Sequence, residues 1–398
     1  MGGGVVGLLT SYYLVKSNVD VVLVDQEFGV AKGASHANGC QLSYSYVDAL
    51  GSPSMLKKIP GISLGLDPYT KVRHSFRSDY LKWMSAFLIN CTKASYVANT
   101  RTLLDLSSLS RALVDEFIDS HGEESMEYRS SGKLMIFSSA FDDAVRNMKE
   151  RNKIVHQQVS LTPGECCQVE PALYGYSDKI SGGIWAEGDA VGDPNMFSNY
   201  LLSYLEAHSN FTFIPNCKIF GFSEGENHVL SVDTSLGRLF ADKFVCCLGP
   251  QAPIISKLLG ISLPIIPVKG YSVSFKCLVG APAVSLTDMD RKIVMCKVGA
   301  EFRVAGLSEV GELSEDVSEN KISMLIDSAR EIFPNASDYS KPFRKWSGIR
   351  PFSPTSRPIL GKIKHNNVYY NVGHGMLGWT LSFSTAKIVS DQVINDLD

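Results

Sequence analysis

Two glycine-rich turns and one arginine are the residues of this sequence best suited to chemistry. The first turn is the GxGxxG string from Gly2 to Gly7, and Asp25 follows eighteen residues after Gly7. Glycines let backbone amides approach a pyrophosphate, and the start of the next helix favours negative charge. A carboxylate at the end of the following strand accepts hydrogen bonds from ribose hydroxyls. This combination predicts a site for the ADP half of a dinucleotide, with an ordinary glycine turn as the alternative.

The second glycine-rich turn lies near the other end of the chain. Residues 373–380 read Gly-His-Gly-Met-Leu-Gly-Trp-Thr, between a strand predicted for Val368 to Val372 and a helix predicted from about Leu381 to Asn395. A helix start stabilises negative charge on the pyrimidine end of a reduced flavin, which a nicotinamide does not need. Two such turns therefore favour FAD over NAD. His374 has two interpretations, contact with substrate or flavin and a hydrogen-bonded packing role.

Arg350 is the candidate for binding a carboxylate. It stands two residues after Gly348 and directly before Pro351, which favours extended backbone at the arginine. A guanidinium held in this way matches a carboxylate with two parallel hydrogen bonds, whereas lysine acts as a point charge. A structural ion pair or a helix cap is the alternative.

Composition narrows the class of protein. The chain has 398 residues, 44% of them hydrophobic, and a formal charge of −3, so a basic nucleic-acid surface is not expected. The longest apolar stretch, Leu258 to Val268, contains two prolines and is shorter than the roughly 20 residues of a membrane-spanning helix. We therefore expect a cytoplasmic protein. The nine cysteines show no CxxC spacing, so neither a metal site nor a redox centre is predicted.

The elements around these residues indicate an α/β protein. Val19 to Val24 is predicted to be a buried parallel strand that ends in Asp25. The small, polar residues 33–41 predict a second phosphate-contacting turn through Ser35 and Asn38, or a helix cap and a tight turn in the alternative. The strand that normally precedes a GxGxxG turn is not in the sequence. Without it, cofactor affinity and stability are both in question.

Apolar spacing predicts the remaining elements. Two long helices are expected between about Tyr80 and Ser120, another from Asn195 to His208 after Pro194, and a fourth from Ser318 to Phe333. Strands are expected at Lys133 to Phe137, at Gly183 to Trp185, repeatedly from Phe211 to Gly249, and by alternation within residues 261–344.

We predict a Rossmann-like parallel sheet domain that binds FAD, with an inserted antiparallel, β-rich substrate domain. The segments are 1–122, 191–260 and 345–398 for the FAD-binding domain, and 123–190 and 261–344 for the substrate domain.

The sequence resembles the FAD-dependent D-amino acid dehydrogenases of the D-amino acid oxidase superfamily over nearly its whole length. The strings that carry the resemblance are Gly2 to Gly7, Asp25, Ser35 to Asn38, Lys82-Trp83-Met84, Asn90-Cys91, Gly182-Gly183, Gly192-Asp193, Lys269-Gly270-Tyr271-Ser272, Gly348 to Pro351 and Gly373 to Thr380. The KGYS and GHGxLGWT strings are the most specific. Three features depart from the family pattern: the absent first strand, Gly39-Cys40, and Thr355-Ser356-Arg357.

The resemblance implies oxidative deamination of D-amino acids to 2-oxo acids and ammonia, with electrons passed to a quinone or another acceptor. We expect Arg350 to bind the substrate carboxylate, Tyr271 to form a wall of the pocket and His374 to be a further catalytic candidate. The predicted cofactor contacts are Gly2, Gly4, Val5, Val6, Gly7, Asp25, Gln26, Ser35, Asn38, Gly39, Lys218, Gly249, Gly375, Leu377, Gly378, Trp379 and Thr380.

Three alternatives stay open at this stage. Two are an oxygen-using amine oxidase and a dehydrogenase of secondary amines such as sarcosine or proline. The third is a flavin-free paralogue that serves only as a binding partner. In addition, an apolar loop from Met55 to Leu66, with Lys57 and Lys58, predicts peripheral contact with a membrane.

Overall fold

The computed structural model describes residues 1–153 and 158–397. The helices are α1 Val5–Lys16, α2 Pro53–Ser63, α3 Ser78–Asn90, α4 Lys93–His121, α5 Phe141–Arg151, α6 Pro163–Val169, α7 Pro194–Glu206, α8 Ala252–Lys257, α9 Glu319–Ile332 and α10 Ser382–Asn395. The strands are β1 Val21–Val24, β2 Gln41–Leu42, β3 Thr70–Val72, β4 Lys133–Phe137, β5 Gln158–Leu161, β6 Gly182–Ala186, β7 Ala190–Val191, β8 Phe211–Ile214, β9 Ile219–Glu224, β10 Val229–Thr234, β11 Gly237–Phe240, β12 Phe244–Cys246, β13 Ile266–Lys276, β14 Ser285–Asp288, β15 Ile293–Val298, β16 Glu301–Val310, β17 Arg344–Phe352, β18 Ile359–Lys362 and β19 Val368–Val372.

The helices predicted from apolar spacing are confirmed. α7 begins where Asp193 accepts hydrogen bonds from the amides of Asn195 and Met196, and Pro194 occupies its first turn. Proline suits this position because its missing N–H would have no partner inside the helix. α9 ends at Ile332 and α10 begins at Ser382, each within a residue of its predicted limit.

A nine-stranded sheet forms the larger β-structure. Its order is β17-β13-β16-β15-β14-β4-β6-β5, with β3 also paired to β16. One face, here called the back face, packs on α9 and α6 through a core that includes Val273, Phe302 and Leu325. The other face, here called the front face, meets the segment that follows Asp25. β4 and β6 therefore belong to the same sheet as strands β13 to β17.

Parallel pairing characterises the second part of the molecule. β1 pairs with β8, and β12 pairs with β19. The backbone of Met1 lies beside β12, since its amine donates to the Val245 carbonyl and its carbonyl accepts from the Cys247 amide, both at 2.9 Å. The Gly2 amide donates to the Val24 carbonyl at 2.8 Å. Residues 1 and 2 thus connect the ends of β12 and β1.

The helices of this part share one core. α1 packs against α7 and α10, and α10 also packs against α4. Aromatic rings fill the space between them, with Phe117, Phe197 and Phe383 in mutual contact at centroid distances of 5.2 to 5.6 Å. The α/β architecture with a parallel sheet and separate antiparallel sheets confirms the predicted fold class.

Two sequence expectations change in the structure. The segment from Met55 to Leu66 was predicted to be a loop, but most of it belongs to α2, because Ser52 caps the helix and Pro53 opens it. β17 crosses the predicted boundary at 344/345, because its residues pair along β13 from Ser274 to Ile266. Arg350 thus lies in the large sheet. Within the described residues, no helix combines the length and apolarity needed to cross a bilayer.

Candidate active site

The GxGxxG turn is packed so closely that glycine is required at two positions. Gly2 has φ +100°, and a Cβ there would lie 2.5 Å from the Cys247 carbonyl oxygen. A Cβ on Gly7 would lie 1.9 Å from the Gly2 carbonyl oxygen. The turn therefore brings the start of α1 against the ends of β1 and β12. The first amides of a helix have no intrahelical partners, so they are available to an anion.

Ser35 lies at the same helix start. Its Oγ accepts a hydrogen bond from the Val5 amide at 3.2 Å. The hydroxyl thus satisfies one α1 amide, as expected for a helix cap. Ser35 therefore lies beside the start of α1.

Asp25 is held by the backbone on both sides. Its Oδ2 accepts from the Gly3 amide at 2.5 Å and its Oδ1 from the Glu27 amide at 2.8 Å. Its carbonyl accepts from the Cys217 amide at 2.7 Å. Lys218 follows Cys217 and Gln26 follows Asp25, so both are at the same edge of the sheet. A carboxylate with fixed orientation at the end of β1 has lone pairs left for ribose hydroxyls.

Gly249 follows β12 at the carboxyl edge of this parallel sheet. Its φ is +51°, and a Cβ there would meet no atom within 4 Å. The position of a Cβ on Gly2 is within 4 Å of Leu248, the residue before Gly249, and Asp25 is hydrogen-bonded to Gly3 and to Cys217, the residue before Lys218.

Residues 37–43 cross the front face of the large sheet from strand to strand. Their contacts follow the sheet order: Ala37 carbonyl with Ser272 on β13 at 2.6 Å, Asn38 carbonyl with Arg303 on β16 at 3.3 Å, Gly39 carbonyl with Cys296 on β15 at 3.4 Å, Gln41 with Ser285 on β14 at 2.7 Å, and Ser43 with Lys133 on β4 at 2.9 Å. A Cβ on Gly39 would lie 2.6 Å from Val294 Cγ2. We call residues 37–43 the crossing segment.

Arg303 anchors the crossing segment. Its side chain is fully buried, and its guanidinium pairs with Asp193 at 2.9 Å and with Glu301 at 2.7 Å. It also donates to Cys40 Sγ at 2.8 Å. Because Asp193 caps α7, this arginine joins the large sheet, the crossing segment and α7 in one buried network.

Arg350 lies on the front face of β17, opposite Val268 of β13. A Cβ placed on Gly270 would be 2.0 Å from Arg350 Nη2, so the guanidinium lies directly over that glycine. Its Nη2 donates a long hydrogen bond of 3.5 Å to the Leu307 carbonyl. In the described part of the chain no carboxylate lies within ion-pair distance of Arg350. Burial lowers the pKa of Arg350 to about 10, so the group is still a cation at neutral pH.

A bulge in β16 presents the Leu307 carbonyl to this arginine. The β13–β16 register shifts between Lys269 and Tyr271, and Leu307 has φ +60°. Bulges and left-handed non-glycine residues concentrate next to functional sites. The local backbone thus differs from regular sheet where Arg350 lies.

The C-terminal glycine turn meets the end of β17. His374 forms an antiparallel bridge with Phe352, two residues after Arg350. Gly373 and Gly375 have φ of +80° and +56°. At the far end of the turn, Thr380 Oγ1 accepts a hydrogen bond from the Ser43 amide at 3.1 Å. The turn therefore connects the strand of Arg350 with the crossing segment.

The other residues of this turn support it from within. Trp379 donates from its indole nitrogen to the Gly192 carbonyl at 3.0 Å, and Leu377 is buried. A Cβ on Gly378 would lie 3.5 Å from the His374 Cβ.

His374 is itself buried. Its Nε2 shares a hydrogen bond of 3.1 Å with Thr385 Oγ1, and burial lowers its pKa to about 4. The imidazole is therefore neutral at neutral pH.

Comparison with known proteins identifies the family. The profile of the FAD dependent oxidoreductase (DAO) family matches residues 1–392. The chain belongs to that family. Two relatives illustrate the range of similarity. A D-amino acid dehydrogenase of Paramagnetospirillum magneticum is 32% identical, over 99% of this chain and 94% of the relative. The solved glycine oxidase from Geobacillus kaustophilus shares the fold with a TM-score of 0.77 at 20% identity, over 99% of this chain and 93% of that chain.

L-proline dehydrogenase from P. horikoshii also shares the fold of this oxidoreductase. Its TM-score is 0.73 at 15% identity, with 99% of this chain and 92% of that chain covered. At these identities the two solved structures support the fold alone.

The residues present in the oxidoreductase fit FAD. The α1 start, the fixed Asp25 carboxylate and the open space at Gly249 are suited to the ADP half. The C-terminal turn contacts the crossing segment through Thr380. No cluster of metal-ligating side chains occurs among residues 1–153 and 158–397.

Tyr271 does not lie beside Arg350. Neighbouring residues of a strand point to opposite faces, and Tyr271 packs in the back-face core, where its hydroxyl donates to Glu309 at 2.7 Å. This position differs from the expected one, in which Tyr271 forms a wall of the pocket around Arg350. We do not include it among the proposed substrate contacts.

Arg303 and Lys133 were not among the predicted site residues. Neither belongs to a motif, and their contacts with the crossing segment join residues at least 90 positions apart in sequence. One signal was present: each is a cation within a strand whose other residues are mostly apolar.

Proposed function

We propose that this FAD-dependent oxidoreductase oxidises D-amino acids to 2-oxo acids and ammonia. The observation that carries the proposal is Arg350, a partly buried cation without a carboxylate partner in the described residues, beside the glycine turn of residues 373–380. A substrate carboxylate would supply the missing partner. The relatives named D-amino acid dehydrogenase support the substrate class.

Positioning is the main contribution of the protein side chains. Arg350 binds the α-carboxylate in two parallel hydrogen bonds and so fixes the Cα–H toward the cofactor. FAD held by these residues would supply the two-electron acceptor for oxidation of the amino acid at Cα, and water would hydrolyse the resulting imino acid to the 2-oxo acid and ammonia. His374 is neutral at working pH and adds no charge to the site.

We propose that Gly4, Val6 and Gly7 contact the pyrophosphate through backbone amides. Gly2 and Val5, whose amides donate to Val24 and Ser35, line the same turn. Asp25 and Gln26 bind the ribose, and Lys218 and Gly249 border the adenosine. Ser35, Asn38 and Gly39, with residues Gly375 to Thr380, hold the remainder of FAD. The alternative of a flavin-free binding protein predicts a purified chain without visible absorption.

Arg350→Lys tests the proposed role of the arginine. Arg344→Lys is the matched control, because Arg344 begins the same strand and already pairs with Glu301 at 3.5 Å. We expect dye reduction by D-amino acids in the unchanged protein, a strongly raised KM in Arg350→Lys and no change in Arg344→Lys. An unchanged kcat/KM in Arg350→Lys would remove that residue from the site.

The same assay distinguishes the alternative substrates. The panel contains D- and L-amino acids, glycine, sarcosine and proline, with hydrogen peroxide measured in air. Activity only with sarcosine or proline would identify a secondary-amine dehydrogenase. Peroxide equal to the substrate consumed would identify an oxidase.

We further propose that the electron acceptor is a quinone reached from an anionic membrane surface. No residue of α2 is buried, and Leu64, Leu66 and Phe76 after it are 76%, 75% and 98% exposed. Lys57 and Lys58 are exposed on the same helix. Apolar side chains flanked by lysines suit a bilayer with anionic headgroups.

This surface adjoins the proposed site. Met55 and Ile59 of α2 pack with Trp83 of α3, whose indole donates to the Phe352 carbonyl at 2.9 Å. A membrane-embedded acceptor would therefore approach near the end of β17, where Arg350 lies.

Sedimentation with vesicles tests the membrane contact. We expect binding to vesicles with phosphatidylglycerol, and weaker binding of Lys57→Gln/Lys58→Gln and of Leu64→Ser/Leu66→Ser. The control is Lys149→Gln/Lys153→Gln. Both lysines are exposed; Lys149 belongs to α5 and Lys153 follows that helix. Equal binding of all variants would reject the contact.

A further inference from the structure

Lys133 is a buried lysine on the front face of β4. Its side chain is 5% exposed, and within the described residues it has no carboxylate at ion-pair distance. Its Nζ donates to Ser43 Oγ at 2.9 Å and lies 5.2 Å from the centre of the Tyr46 ring. A buried ammonium with so few partners is costly, so its retention calls for a role.

Two hydrogen bonds connect Lys133 with the C-terminal glycine turn. The first is its own bond to Ser43 Oγ. The second runs from the Ser43 amide to Thr380 Oγ1 at 3.1 Å. The Gln41 side chain, held by Ser285 at 2.7 Å and Thr287 at 3.0 Å, supports the strand just before Ser43. The lysine is thus fixed behind the part of the crossing segment that contacts the turn.

The charges around Lys133 come from three other elements. Asp189, in the turn between β6 and β7, is buried; its Oδ1 accepts from Ser45, and its Oδ2 has no hydrogen-bond partner among the described residues. Arg151 of α5 pairs with Asp48 at 2.7 Å. Its Cζ also lies over the Tyr46 ring, 4.6 Å from the ring centre. Burial lowers the pKa of Lys133 to about 8, against the opposing effect of Asp189. The lysine is therefore mostly charged at neutral pH.

Lys133 is not part of the Arg350 carboxylate site. Four strands separate β4 from β17 in the sheet order. With about 4.8 Å between neighbouring strands, the two positions are too far apart along the sheet for one small substrate carboxylate to reach both.

We infer that Lys133, held on Ser43, is a positioning residue whose positive charge favours the reduced, anionic form of the FAD bound at the Thr380 turn. This inference rests on the proposed placement of the cofactor. A fixed cation in a low-dielectric interior stabilises nearby negative charge more strongly than one in water, and reduction adds negative charge at the pyrimidine end of the flavin.

The reduction potential of the bound FAD tests the inference independently of turnover. The full chain with FAD bound is titrated against a reference dye. The proteins compared are the unchanged protein, Lys133→Met, Lys133→Arg and Lys269→Met. Lys269 is the matched control, because it is also buried but lies on the back face, donating to the Asp316 carbonyl at 2.5 Å. We expect Lys133→Met to lower the equilibrium constant for FAD reduction tenfold or more, which is about 30 mV for a two-electron couple. Lys133→Arg should restore most of it, and Lys269→Met should leave it unchanged.

The pH dependence of the reduction potential supplies a second measurement, which needs only proteins with a basic residue at position 133. Lys133 loses its proton as pH rises through about 8, whereas arginine keeps its charge. The potentials of the unchanged protein and Lys133→Arg should therefore agree at pH 7 and diverge above pH 8, with the unchanged protein more negative. If Lys133→Met does not fold, this comparison decides the question.

The possible failures are distinguishable. Equal potentials in the unchanged protein and Lys133→Met, both with FAD bound, would overturn the inference and leave the proposed function intact. An equal shift in Lys269→Met would show that any buried lysine has this effect and would also overturn it. A full-length chain that binds no FAD would overturn both proposals.

Discussion

The guanidinium of Arg350 occupies the place where a side chain on Gly270 would be. A Cβ on Gly270 would lie 2.0 Å from Nη2 and 2.6 Å from Cζ of Arg350. The two residues are on neighbouring strands and the same face of the sheet. The glycine of the KGYS string therefore decides where the candidate carboxylate-binding group points.

Gly270→Ala should displace Arg350 without removing it. We expect kcat/KM for D-amino acids to fall, mostly through a higher KM, because the displaced guanidinium loses one of its two hydrogen bonds to the carboxylate. The fall should correspond to a loss of about 2 kcal/mol or more in transition-state binding. Gly175→Ala is the control, since a Cβ there meets no atom within 4 Å. Steady-state kinetics of the three proteins give the answer. Unchanged kinetics in Gly270→Ala would show that the substrate carboxylate does not bind at this position.

Gly7→Ala should weaken FAD binding. The added methyl would lie 1.9 Å from the Gly2 carbonyl oxygen, which is backbone and cannot move without opening the turn. We expect the dissociation constant of FAD to rise at least tenfold, measured by titration of the apoprotein with flavin fluorescence. Gly61→Ala, in exposed α2 with open space around it, is the control. Equal FAD affinity would place the pyrophosphate elsewhere.

Arg303 should be important for stability. Removing one partner of a buried ion pair typically costs about 3–5 kcal/mol, because the other charge stays buried. We expect a loss of this size in the free energy of unfolding for Arg303→Met, measured with urea. The exposed pair Arg238–Asp233 provides a comparison, since its removal should cost at most about 1 kcal/mol. Similar losses for both pairs would contradict the anchoring role of Arg303.

His374 should make stability depend on pH. Its folded-state pKa of about 4 is below the usual value, so the unfolded chain binds a proton more readily. The stability from the neutral imidazole is fully present above the unfolded pKa of about 6.5. It is lost as pH falls through that value towards 4, by up to about 1.4 kcal/mol per pH unit.

His374→Gln removes this dependence. The difference in free energy of unfolding between pH 7 and pH 5 should be smaller in His374→Gln than in the unchanged protein. His228→Gln, at an exposed histidine, should behave like the unchanged protein. An equal pH dependence in all three would show that folding does not lower the pKa of His374.

The sequence alone determined the features that depend on local spacing. The GxGxxG turn, Asp25 and the turn of residues 373–380 were found because short-range backbone geometry limits which residues can occupy such positions. Arg350 was found for a similar reason, since Gly348 and Pro351 restrict the backbone beside it. The helices α4, α7, α9 and α10 followed from apolar periodicity.

The tertiary structure alone decided which side chains meet. Tyr271 and Gly270 are adjacent in the sequence, yet the pleat places the first in the back-face core and the second beneath Arg350. Arg303 and Lys133 acquired their positions only because residues 37–43 cross the front face strand by strand. Strand order and register come from contacts between distant residues, and no local pattern encodes them.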